Sequence, residues 1–231
     1  MWPYFIRHYE QYCERIVVYD NGSDDGTQDL VRRHSLCELR HVDSRGQFDE
    51  RILMMIKGQM WKESRKTADW VICCDVDELL YHPRLMDYLA DCRQRSVTIP
   101  VPSGWQMVHD RFPSTDRQVY DEIRTAVSDA RYGKRIIFNP AAIHEINYWP
   151  GCHIARPEGD ISEDSNQLLK LLHFKFLGLE YVAARYMDFA RRMSDFNRAN
   201  GFGAQYLQTP EQLEAEFRRW QSQAPTSEIS E

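Results

Sequence analysis

The chain has 231 residues, 42% hydrophobic and 28% charged, which suits one large domain of ordinary globular composition. A formal charge of −6 gives nucleic acid no electrostatic footprint to bind. No apolar run approaches the ~18 residues of a membrane span, and no signal-peptide apolar region follows Met1-Trp2-Pro3. The six cysteines lack paired C-x-x-C spacing, so a reduced, cytoplasmic chain is expected.

In chain order, Pro3 and the apolar positions Tyr4, Phe5, Tyr9 and Tyr12 predict a helix over 3–13. Residues 16–19 read as a short buried strand, and the dense turn signal Asp20 to Thr27 follows it. A short helix is expected over 27–33, a strand over 38–42 and an amphipathic helix over 48–66. A strand over 70–74 completes an alternation that argues for a parallel sheet covered on both faces.

Pro83 opens a helix to about Arg95, and strands are expected over 97–102 and 105–108. Residues 109–133 read as a long loop over the site, 135–138 as a strand and 157–167 as an acidic loop. A late strand over 168–176 carries His173, and helices follow over 179–196 and 209–221. The expected division is a domain over 1–203, a helical appendage over 204–223 and a disordered tail over 224–231.

The strand 70–74 ends in Asp75, Asp77 and Glu78. Three carboxylates in four residues after an apolar run call for a nearby cation. Alternation along a strand would send Asp75 and Asp77 out on one side. Two hard oxygen ligands at a strand's carboxyl end suit Mg²⁺ or Mn²⁺ shared with a substrate's phosphates. Ligands of such sheets gather at these ends, so Asp20 is expected to converge with Asp75 and Asp77.

Tyr19 to Thr27 followed by Asp75-Val76-Asp77-Glu78 resembles family-2-type glycosyltransferases with the GT-A fold. The likeness is closer to a bacterial branch that shares Pro3–Tyr9, Phe138–Pro140, Pro150–His153 and Leu171–Lys175, and it covers about residues 3–203. It implies an α/β fold, mostly parallel and Rossmann-like, with C-terminal helices. It also implies transfer of a sugar from a nucleotide-sugar, a UDP-sugar by preference, to a glycan or other acceptor hydroxyl with inversion. By the same likeness Asp20 contacts the donor base, Asp75 and Asp77 hold metal and diphosphate, and His173 completes the metal's ligands.

In this family a first strand ends just before the Pro-Tyr-Phe helix, and Met1 falls where it would have ended. The expectation is therefore an edge beside 16–19 that another copy of the chain would cover. Lys134, Arg135 and Lys175 are candidates to neutralise phosphate. The general base is expected among Asp121, Glu122, Glu145 and His153, with Glu122 and Asp121 foremost. A bacterial surface glycan is the expected product, made in the cytoplasm or at the inner membrane face. The alternative is a degenerate GT-A module that binds a glycan or partner protein without catalysis. A haloacid-dehalogenase-type enzyme also carries a strand-end Asp-x-Asp, but Glu78-Leu79 departs from its pattern.

Overall fold

The computed structural model describes residues 1–114, 116–165 and 168–224. The elements run α1 (Trp2–Tyr9), β1 (Ile16–Asp20), α2 (Thr27–Arg33), β2 (Cys37–His41), α3 (Glu50–Gln59), β3 (Val71–Ile72), β4 (Glu78–Tyr81) and α4 (Leu85–Gln94). They continue with β5 (Ile99–Pro100), β6 (Ser103–His109), α5 (Val119–Glu122), β7 (Ala126–Ser128), β8 (Ile137–Phe138), β9 (Ile143–Glu145), β10 (Glu158–Gly159) and β11 (Glu163–Asp164). The chain closes with β12 (Lys170–Leu177), α6 (Leu179–Arg192), α7 (Asp195–Asn200) and α8 (Pro210–Gln223). No described helix is long and apolar enough to cross a membrane.

The α/β class expected from the alternation holds, but the sheets are mixed rather than one parallel sheet. The largest has the order β4-β12-β6-β7, with β12 parallel to β6 and both outer pairs antiparallel. The parallel pair β1–β2 stands apart, and the two-residue β3 pairs antiparallel with β8. The apolar run 70–74 thus gives a strand of two residues only. The chain leaves the ladder because a turn, closed by Glu78 N–H donating to Asp75 C=O at 3.0 Å, reverses it into β4.

The expected loop 109–133 is also more structured than its composition suggests. Its Ala126–Ser128 segment pairs with β6 and forms a sheet edge. A 3-10 turn at Ala130–Tyr132 follows and packs over β6 at Gly104. A Cβ at Gly104 would lie 2.4–2.5 Å from the backbone of Asp129, Tyr132 and Gly133. That bare glycine lets the segment carrying Tyr132 and Lys134 press onto the sheet.

The core has three parts. The largest gathers Leu79, Leu80, Met107, Leu171, Leu172 and Phe174 with Tyr4 and Tyr9 of α1 and Leu85 and Leu89 of α4. A second surrounds Trp61, Phe138 and Tyr148. In the third, Leu213, Phe217 and Trp220 of α8 pack on Val108, Phe176, Val182 and Tyr186. The segment expected as an appendage therefore buries its apolar face against β6, β12 and α6. Thr209 caps α8 with a reciprocal Thr209–Gln212 capping box. The expected tail lies outside the described residues except for Ala224.

Candidate functional site

Asp75 and Asp77 sit on the β3–β4 turn and Glu78 opens β4, so the triplet does not continue one strand. Asp75 and Asp77 are therefore not paired on one strand face. Asp75 N–H donates to Glu78 Oε2 at 3.1 Å, which ties the turn across its ends. Each carboxylate then meets its own cation. Lys57 Nζ of α3 lies 2.6 Å from Asp75 Oδ1. Arg185 Nη1 of α6 lies 2.7 Å from Asp77 Oδ2. Lys134 Nζ donates to Glu78 Oε1, a pair removed from solvent on both sides.

The electrostatics follow from these partners. Burial pushes the Asp75 and Asp77 carboxyls up, but Lys57 and Lys134 for Asp75, and Arg185 and His173 for Asp77, outweigh it. Both carboxyls are held below the usual range. The same attraction outweighs burial at Lys57, Lys134 and Arg185, which stay firmly charged. Buried Glu50 on α3 differs: burial dominates and raises its pKa, although it accepts from Gly151 N–H at 2.8 Å.

On β12, His173 and Lys175 are two residues apart, and the ladder to β6 shifts register between His173 and Phe176. The neighbouring strand fixes the histidine. Buried Gln106 donates from Nε2 to the carbonyls of Met107 and His173, both at 2.9 Å. Its Oε1 must then accept, and it lies 2.8 Å from His173 Nδ1. Nδ1 therefore carries the proton, and Nε2 offers a lone pair 3.8 Å from Asp77 Oδ2. Burial pushes the His173 pKa down to about 3, so the ring is neutral at pH 7. The Tyr132 ring packs on it at 4.6 Å between centroids, and His153 lies on another side of Tyr132 at 5.4 Å.

Lys175 has no ion pair among the described residues. Its ammonium lies 4.9 Å from the Tyr186 ring centroid and 5.6 Å from that of Tyr206. Burial lowers its pKa to about 8, opposed mainly by Glu216 of α8. Beside it, the buried Tyr186 hydroxyl and Glu216 Oε2 have no hydrogen-bond partner.

Asp20 lies at the end of β1 and is buried, but its own loop accounts for it. Its carboxylate accepts from Gly22 N–H at 2.9 Å, Ser23 N–H at 3.1 Å and Gln28 Nε2 at 2.9 Å. With Gln28, Arg32, Cys37, Leu39 and His41 it lines an open cleft of about 480 Å³. The Met1 amino group feels the charges of Arg185, Asp77 and Asp25.

The remaining candidates lie elsewhere. Arg135 forks onto Glu163 at 2.6 and 3.0 Å, although adjacent Lys134 turns inward. Glu145 pairs with Lys62 and accepts from Gln59 at 3.3 Å. Hydrogen bonding to Lys62 lowers its pKa, which weakens it as a base. Asp121 and Glu122 sit on α5, where Gln118 Nε2 donates to Tyr4 C=O at 3.1 Å and Tyr120 packs on Tyr81 at 5.2 Å. That is the end of β4 away from the acidic turn. Of the four base candidates, His153 is linked to His173 through the Tyr132 ring that contacts both. Sequence reasoning missed Lys57, Gln106 and Arg185, which carry no motif; their separations from their partners, 18, 67 and 108 residues, hide the link.

The donor set does not fit a divalent ion as arranged. Asp75 and Asp77 are each engaged by a protein cation. Among the described residues, no group of three or more His, Cys, Asp and Glu side chains is placed to hold a metal. No protein-family model matches the chain, and no curated protein matches its sequence.

Proposed function

We propose that the chain transfers a sugar from a nucleoside-diphosphate donor, a UDP-sugar by preference, to an acceptor hydroxyl. The observation that carries this reading is Lys175: a half-buried ammonium with no ion pair among the described residues, supported mainly by the charge of Glu216 and close enough to Arg185 to feel its charge. A half-buried cation with no ion pair gains from an anionic ligand. A diphosphate leaving group supplies one, and its negative charge grows during transfer, when fixed cations help most.

The residues divide the work. Lys175 and Arg185 stabilise the departing diphosphate. Asp77 orients Arg185 through the 2.7 Å contact. The 480 Å³ cleft lined by Asp20 and Gln28 takes the nucleoside. His153 suits the proton-accepting role at the acceptor hydroxyl. Its Nδ1 donates to Arg131 C=O at 2.6 Å, which leaves Nε2 as the acceptor. Partial desolvation of this otherwise exposed ring and the charge of Lys134 lower its pKa to about 4, so it is unprotonated at pH 7 but, like Glu145, a weak base.

Calorimetric titration with UDP, and UDP release from UDP-sugars, test the reading. Binding is expected to fall about tenfold or more in Lys175→Met, the scale of one lost charge-assisted hydrogen bond. Failure to bind UDP under any cation condition would remove the reading and favour the non-catalytic binding module.

A further inference from the structure

We propose that this site holds its diphosphate ligand without a divalent metal ion, using Arg185 and Lys175 as the neutralising charges. The proposal rests on the nucleotide-sugar reading and specifies how the site recognises the diphosphate.

Charge balance is the first argument. A hard divalent ion is drawn to carboxylates that outnumber the cations around them. Here Asp75, Asp77 and Glu78 are matched one for one by Lys57, Arg185 and Lys134. Lys175 is a fourth cation without an ion pair among the described residues. Glu50 is a further carboxyl near Lys57, and it accepts from Gly151 N–H at 2.8 Å. Each carboxylate of the acidic turn is thus already met by a protein cation, which leaves a dication less to gain there.

Geometry is the second. A gap where an ion would meet two side-chain ligands lies between Asp77 Oδ2 and His173 Nε2, 3.8 Å apart. Arg185 Nη1 already lies 2.7 Å from that same oxygen. A metal would have to strip the guanidinium from a carboxylate whose side chain is only 5% exposed. A diphosphate requires no such exchange. The Arg185 side chain is 29% exposed, and a guanidinium has five N–H donors, so it can keep Asp77 and fork onto phosphate oxygens. The rings of Tyr181 and Phe189, 5.6 and 5.9 Å from its Cζ, flank it for that task. Asp77 then acts as a positioning residue for Arg185 rather than as a metal ligand.

The test titrates UDP into the full chain by calorimetry in EDTA and again in Mn²⁺, with electron paramagnetic resonance reading free Mn²⁺. The expected result is a Kd that agrees within about twofold between the two conditions and an Mn²⁺ signal that the protein leaves undiminished. Arg185→Ala should weaken UDP binding in EDTA about tenfold or more. By freeing Asp77 and the His173 lone pair, the same variant should gain Mn²⁺ binding that the unaltered protein lacks. Lys175→Met, which keeps the site's packing, should weaken UDP binding equally with and without Mn²⁺. UDP binding that requires Mn²⁺, or Mn²⁺ uptake by the unaltered protein, overturns the metal-free proposal and leaves the nucleotide reading standing. Absence of UDP binding in both conditions overturns the nucleotide reading itself, and this proposal with it.

Discussion

Asp20 and Asp77 occupy comparable places, each buried at a strand end in the first third of the chain, Asp20 closing β1 and Asp77 preceding β4, yet they are stabilised in different ways. Asp20 is held by Gly22, Ser23 and Gln28, all within eight residues of it. Asp77 is held by Arg185, 108 residues away, and faces His173. The first carboxylate closes a loop and would do so in almost any fold that contained the loop. The second exists in its charged form only because α6 and β12 bring cation and dipole to it. A carboxylate of the first kind reports on local structure; one of the second kind is where a site can be assembled.

The sharpest way to break this contrast is to remove one member of the long-range Lys134–Glu78 pair. Both side chains are excluded from solvent, so Lys134→Ala or Glu78→Ala should cost about 3–5 kcal/mol in urea unfolding, because a buried charge is left alone. A cost below about 1 kcal/mol would mean that the pair is not held as described.

Acid titration of stability comes next. Burial depresses His8 and His153 to about 4 and His173 to about 3. The unfolded chain therefore takes up these protons first, near its ordinary value of about 6.5. The native state has this contribution in full above that pH and loses it progressively as pH falls toward 4 and 3. Asp75 and Asp77, whose pKa values are lowered, add a second loss that begins below about 4. Stability measured by urea unfolding should thus fall from pH 7 downward in two stages. Arg185→Met should flatten the lower one, because the guanidinium is the main charge that depresses Asp77.

Arg185→Met should also lower stability at pH 7 by about 1.5–3 kcal/mol, the range for a hydrogen bond to a charged group. Asp20→Asn should cost less, about 0.5–1.5 kcal/mol, since the amide oxygen still accepts from the loop. It should also change UDP affinity less than Lys175→Met does. The smallest effect is expected at Arg135→Ala. The Arg135–Glu163 pair is about one-third exposed, so its loss should cost about 0.2–1 kcal/mol and leave UDP binding unchanged. A loss of UDP binding there would return Arg135 to the site.

Much of the architecture was legible because it is written locally. The pattern of Thr27–Arg33 with Asp25 ahead of it gives α2 directly, with Asp25 accepting from Thr27 N–H at 3.0 Å. Pro210 after Thr209 announces α8. The strand 70–74 was less legible. Its apolar run predicts length, but length in a sheet depends on a partner, and β8 offers only Ile137 and Phe138. The parallel sheet expected from alternation failed for the same reason: strand order is a property of chain path. Within the site, the acidic triplet stood out in the sequence because three carboxylates after an apolar run need compensation.

By itself, then, the sequence determined that Asp75, Asp77 and Glu78 require positive charge near them, that Asp20 sits in a tight turn, and that His173 and Lys175 lie on one late strand. Only the tertiary structure decided which cations answer the carboxylates. It turned Lys134 inward and Arg135 outward, set Gln106 to fix the proton of His173, and left Lys175 without an ion pair among the described residues. The physical reason is range. Turn and helix signals act over a few residues, whereas a buried charge is stabilised by whatever the fold brings within a few ångströms of it, here from 18 to 108 residues away.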